Sequence, residues 1–137
     1  MATNLVYAYS KHKTRVWTVG NDVAPGTPVI SIADEPGVSI TGSGDYTVTE
    51  TLGGVTVTRP AGAVGLEADE STVAVDGTWE FDVTGGSDAT PNNTPVYFDG
   101  TDITTTATDN SPFGVVDLPP DYTVTGSVLP VKIGVFA

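Results

Sequence analysis

From residue 73 to residue 137, apolar positions alternate with Thr, Asp and Glu, and the alternation stops wherever Gly, Pro, Asn or Asp accumulates. Alternation with a period of two is the mark of half-buried β-strands, because successive side chains leave opposite faces of a strand. The clearest case is Trp79–Val83. Trp79, Phe81 and Val83 fall on one face and Glu80 and Asp82 on the other, so the first three are expected in the core. The same reading predicts strands at Thr14–Val19, Pro28–Ala33, Val38–Thr41, Val73–Asp76, Pro95–Phe98, Ile103–Thr106, Phe113–Val116 and Leu129–Phe136. Turns are expected at Pro36-Gly37, Gly42–Asp45 and Asp76-Gly77, and polar loops at 85–95 and 117–127. Residues 46–58 form the cleanest hairpin pattern, two Val/Thr runs joined at Gly53-Gly54. No ten-residue stretch has helical periodicity.

The expected fold is therefore all-β, a compact sandwich or barrel-like module. Residues 1–13 form an extended N-terminal arm, 14–137 a single β-domain, and 42–62 an inserted hairpin. A chain of 137 residues fits one core better than two. Gly26-Thr27-Pro28-Val29, leading to Gly37-Val38, is echoed by Asn93-Thr94-Pro95-Val96, leading to Gly114-Val115. Proline at the first residue of a strand costs no ladder bond. The echo fits two related β-substructures and equally fits two uses of one turn chemistry.

Charge narrows the function. Seventeen acids against five bases give a formal net charge of −12. A field of that sign repels phosphate backbones, so no nucleic-acid partner is expected. With 39% hydrophobic residues the chain is not a disordered acidic tail. It has no cysteine, which excludes disulfides and thiolate metal sites. No apolar run is long enough for a membrane-spanning helix, and the first residues lack the pattern of a secretory signal. No membrane partner is expected.

Candidate chemistry is sparse. His12 is the only histidine, with no nucleophile and carboxylate near it in sequence, so it builds no triad. Glu80 and Asp82 share a strand face and could pair as acid and base; the wet face of a sheet explains them as well. Asp99-Gly100-Thr101-Asp102 resembles a fragment of a calcium loop without its closing glutamate, and reads as a hairpin turn. The Glu67–Glu70 acidic cluster reads as a solvated turn. Asn92-Asn93-Thr94 matches a glycosylation acceptor, a pattern common by chance. No lysine follows a glycine, so no phosphate loop is present. No catalytic residue, cofactor or metal is expected.

Three of the five bases, Lys11, Lys13 and Arg15, cluster beside the apolar and aromatic residues Leu5, Val6, Tyr7 and Tyr9. These seven residues are the candidate contact set, facing an acidic partner or a neighbouring copy; a solvated strand edge is the simpler reading of the charges. Trp17 and Trp79 are candidates for core or subunit packing.

The segments VAVDGTWEF, TPVYFDG, ITTTATDN, FGVV and VKIGVFA, in that order, resemble small capsid decoration (cement) proteins of tailed bacteriophages. The earlier GTPVISIADEPGVSIT is similar to that family's first strand pair. The resemblance touches residues 26–41 and 73–137. It implies a structural virion protein, not an enzyme, made in the host cytoplasm and bound to the outer surface of an icosahedral head. There it would brace the major capsid protein as homotrimers at threefold or quasi-threefold positions. The 42–62 hairpin and the 11–15 basic cluster depart from the short family pattern. The competing reading is another virion or cell-surface β-module, such as a tail or fibre component or a glycan binder. Its signature would be exposed aromatics, for which Trp17, Tyr97 and Tyr122 are the candidates.

Overall fold

The computed structural model describes residues 4–7, 13–44, 47–60 and 66–136. These contain strands and turns and no helix, as the alternation predicts. Around the second tryptophan, β8 (Thr78–Thr84) buries Trp79, Phe81 and Val83 and leaves Glu80 half-buried and Asp82 exposed. It pairs antiparallel with β12 (Val128–Ile133), whose Leu129, Val131 and Ile133 are buried as well. From there the sheet continues through β11 (Ser111–Val116), β9 (Pro95–Phe98) and β10 (Ile103–Thr104). Strand β10 then runs parallel to β8, with Ile103 opposite Val83. These five strands therefore close on themselves as a small barrel. Closure removes the unpaired edges that an open sheet would present. The sixth strand of this sheet, β1 (Leu5–Tyr7), lies antiparallel to the first part of β8. That portion of the N-terminal arm is thus part of a sheet.

The barrel is filled from within. Phe113 is fully buried and meets Phe81 edge-to-face, with ring centroids 5.6 Å apart and planes at 86°. Phe98 lies 6.1 Å from it, the rings tilted at 36°. Edge-to-face contact of this kind adds to the stabilisation from burial alone.

A second sheet, β2 (Thr14–Thr18), β7 (Glu70–Ala74), β4 (Pro36–Ser39) and β3 (Pro28–Ile30), has the order β2-β7-β4-β3. Its Val38 and Ala74 belong to the same buried apolar cluster as Trp79 and Phe113. The predicted turn at Pro36-Gly37 is corrected here, since both residues lie inside β4. The reversal is instead at 31–35, where the Ser31 N–H donates to the Glu35 carbonyl (2.9 Å) and Asp34 adopts φ 59°. Within β4, position 37 is held to glycine because a side chain there would meet Val73 and Trp17 at 2.4 and 2.8 Å. Several predicted strands also end sooner: the third stops at Ile30, β10 at Thr104 and the last at Ile133.

Between β4 and β7, β5 (Thr47–Leu52) and β6 (Val55–Pro60) form the predicted hairpin, paired only with each other. Gly53 and Gly54 both have positive φ, 57° and 84°. That is the twist a two-residue hairpin turn requires.

The two larger sheets share one topology. Numbered in chain order, β2, β3, β4 and β7 stand side by side as first, fourth, third, second. So do β8, β9, β11 and β12. Every pairing in both sets is antiparallel. The echo in the sequence keeps its register: Pro28 faces Val38 and Val29 faces Gly37, while Pro95 faces Val115 and Val96 faces Gly114.

Candidate docking surface

Among the described residues, strand β2 sits at the edge of its sheet, bonded to β7 along one side only. Arg15 reaches Glu35 at 3.7 Å, with both side chains about half exposed. An ion pair so open to water contributes little stability. Lys13 is exposed; its amide donates to the Asp76 carboxylate (3.1 Å), and its carbonyl accepts from Val75 (3.0 Å). After Arg15, Val16 is 51% exposed, and Ile32, in the 31–35 reversal, is fully exposed. Isolated surface hydrophobes are ordinary; these two line one depression, of about 190 Å³, with Trp17, Thr18 and Ser31.

Thr18 also lines a larger groove of about 380 Å³ between the end of β2 and β3, with Val19, Val23 and Thr27–Ile30. Phe98, Gly100 and Thr101 of the β9–β10 turn form its wall. Of the seven candidate contact residues, Lys13 and Arg15 are therefore on this edge. Leu5, Val6 and Tyr7 form β1 against β8, and Tyr9 and Lys11 lie outside the described residues, as does His12.

Sequence reasoning missed Asn4. Its amide nitrogen donates to the carbonyls of Glu80 (2.9 Å) and Gly26 (3.3 Å), tying the barrel to the loop ahead of β3. Its Oδ1 is buried without a partner. The groove was missed too. The depression beside it left one trace in the sequence, Ile32, a large hydrophobe two residues before the acidic pair Asp34-Glu35.

The carboxylates that invited an acid/base reading have other partners. Glu80 accepts the Tyr122 hydroxyl at 2.8 Å, and Asp82 accepts the Ser127 hydroxyl. Partial burial, then the bond to Glu80 and its charge, push the Tyr122 phenol up to about 12. Asp99 accepts the amides of Asp102 (2.7 Å) and Thr101 (2.9 Å), which hold its carboxyl below the ordinary value. It closes the β9–β10 hairpin turn, as expected. Among the described residues no three acidic or histidine side chains gather as a metal site would need.

No protein-family model, curated protein or solved structure matches this chain.

Proposed function

We propose that this protein is a capsid decoration protein, which binds the outside of an icosahedral phage head as a trimer and braces the major capsid protein. The observation that carries the reading is the ordered set of strand and turn segments over 26–41 and 73–137. Two features of the molecule support it. The β-scaffold leaves an unpaired edge strand with Lys13, Arg15, exposed Val16 and nearby Ile32 available for contact. The acidic groups that might have done chemistry are engaged with hydroxyls and backbone amides. A chain of net charge −12 is better placed outside a shell than against packaged nucleic acid. Cementing is then a linkage effect: a ligand of the assembled lattice alone stabilises that lattice by mass action.

The glycan-binding alternative gains nothing from the aromatic residues. Trp17, Tyr97 and Tyr122 are half-buried, and the Tyr122 hydroxyl is committed to Glu80. The test is to mix purified protein with undecorated, expanded heads. Saturable binding at a fixed ratio to capsid protein, with heads that survive higher temperature, is the expected result. Heads that take up no protein would overturn the reading.

A further inference from the structure

The two four-stranded units match bond for bond. The Gly26 amide donates to Ser39 (2.7 Å) as Asn93 does to Val116 (2.8 Å), and the returns, Ser39 to Thr27 and Val116 to Thr94, are both 2.9 Å. Ile40 to Thr72 corresponds to Asp117 to Pro130, and Val75 to Lys13 corresponds to Ile133 to Gly77. At the other end, Val19 to Asp69 corresponds to Val83 to Ser127, and Glu70 to Glu67 to Val128 to Thr125. These bonds fix an equivalence in which Val19 stands for Val83, Ile30 for Tyr97 and Ser31 for Phe98.

One element breaks the match. In the second unit, residues 99–110 join β9 to β11 and supply β10. That strand lies between β8 and β9, pairing with Val83-Thr84 on one side and Tyr97-Phe98 on the other. In the first unit, β3 and β4 are joined by residues 31–35 alone, too few to send a strand back across the opening. The place equivalent to β10 is bounded by Val19-Gly20 and Ile30-Ser31. There the structure has the 380 Å³ groove, which shares Thr18 with the depression lined by Val16 and Ile32.

We propose that this groove is a strand-acceptor site: an extended segment of a partner protein enters between β2 and β3, parallel to β2 and antiparallel to β3, and closes the first unit as β10 closes the second. Strand addition to an open edge draws its affinity from backbone bonds and its selectivity from alternate side-chain pockets. On β3 the backbone is free to accept it, and on β2 the outward groups are those of Thr18, because the Gly20 amide donates to Asp69 (3.2 Å) and the Gly20 carbonyl accepts the Ser43 hydroxyl. The β4-facing bonds of β3 fall at Thr27 and Ser31, so in an antiparallel ladder the Ile30 amide points to the other side. Side chains like those of β10, a β-branched apolar residue followed by hydroxyls, suit the opening, since Ile103 is buried at the equivalent place.

Charge sets the rest of the occupant's chemistry. Asp22, Asp99 and Asp102 stand beside the lining residues in sequence, and the base on this edge strand nearest them, Arg15, is paired with Glu35. The segment is therefore neutral or basic. A second copy of this chain, itself carrying −12, is the poorer fit.

The inference goes beyond the decoration reading and does not depend on it, because its test uses no capsid. The probe is a capped synthetic peptide of residues 101–107 carrying D102K, titrated to millimolar concentration into the full ¹⁵N-labelled chain. Amide shifts confined to Val16–Gly20 and Thr27–Ser31 are expected. Ile30→Pro removes an outward amide and no bond to β4, a substitution that edge strands tolerate. Thr18→Pro does the same on β2, where the β7-facing bonds fall at Lys13 and Val19. Each should weaken peptide binding at least tenfold while the remaining spectrum keeps its dispersion. No shifts, shifts elsewhere, or unchanged affinity in both proline variants would overturn the proposal. So would self-association of the free protein that Ile30→Pro abolishes, since the edge would then belong to a second copy.

Discussion

Tyr122 and Glu80 show how a single hydrogen bond leaves a measurable trace. The phenol donates to the Glu80 carboxylate, so losing its proton would set its own negative oxygen 2.8 Å from the carboxylate oxygen. Its folded-state value, about 12, lies above the ordinary phenol value of about 10. A group raised in this way contributes stability in full below the unfolded value, and loses it as pH climbs between the two. The five tyrosines, followed by ultraviolet titration, should therefore include one that ionises last. Tyr122→Phe should delete that step, and Glu80→Gln should bring it down toward the others. An unchanged titration curve in Glu80→Gln would show that the bond does not exist in solution.

Glycine at the centre of a strand makes the same kind of argument at the scale of elements. Gly114 and Gly37 are equivalent residues of β11 and β4, and neither has the positive φ that would explain a glycine by backbone shape. Both are explained by close approach. A side chain on Gly114 would meet the Lys132 carbonyl oxygen at 2.2 Å, which is backbone of the paired strand β12, whereas on Gly37 the nearest atoms belong to the side chains of Val73 and Trp17. Side chains can shift and a laddered carbonyl cannot. Gly114→Ala should thus cost on the order of 1–3 kcal/mol, the range for overpacking, and more than Gly37→Ala, read from urea unfolding of each variant. Equal costs would mean that β12 yields as easily as a tryptophan ring. These glycines also mark what the sequence conveyed about the elements. The face of Trp79, Phe81 and Val83 was legible because a half-buried strand writes its period into its own residues. Strand β4 was not, because Pro36-Gly37 carries turn chemistry locally, and the pairing with β7 that places it in the sheet joins residues distant in sequence. The docking edge was half legible. Lys13 and Arg15 announced a charged strand, but that β2 would lack an outer neighbour depends on a return strand present after β9 and missing after β3.

The whole molecule consists of one four-stranded frame used twice, with a different addition to each use. After its third strand the second unit passes to its fourth through the loop 117–127, in which only Thr125 makes a bridge, to Val128 at the start of β12. At the same place the first unit carries the β5–β6 hairpin. That hairpin bonds to no other strand, and its Val55 and Val57 are 62% and 48% exposed. Those two valines bury little against the frame, and burial is where most of the stability of a small sheet arises. Replacing Thr47–Pro60 by a short Gly/Ser linker should leave both larger sheets intact. Unfolding should remain a single cooperative transition, with a midpoint moved by no more than about 3 °C, which for a chain of this size corresponds to ~1 kcal/mol. The aromatic near-ultraviolet signal of Trp79, Phe81 and Phe113 should persist, since all three are buried on β8 and β11 of the barrel. A broad transition, or loss of that signal, would mean that the hairpin is structural to the frame. The equivalence between the two units would then fail at the point where the second does without it.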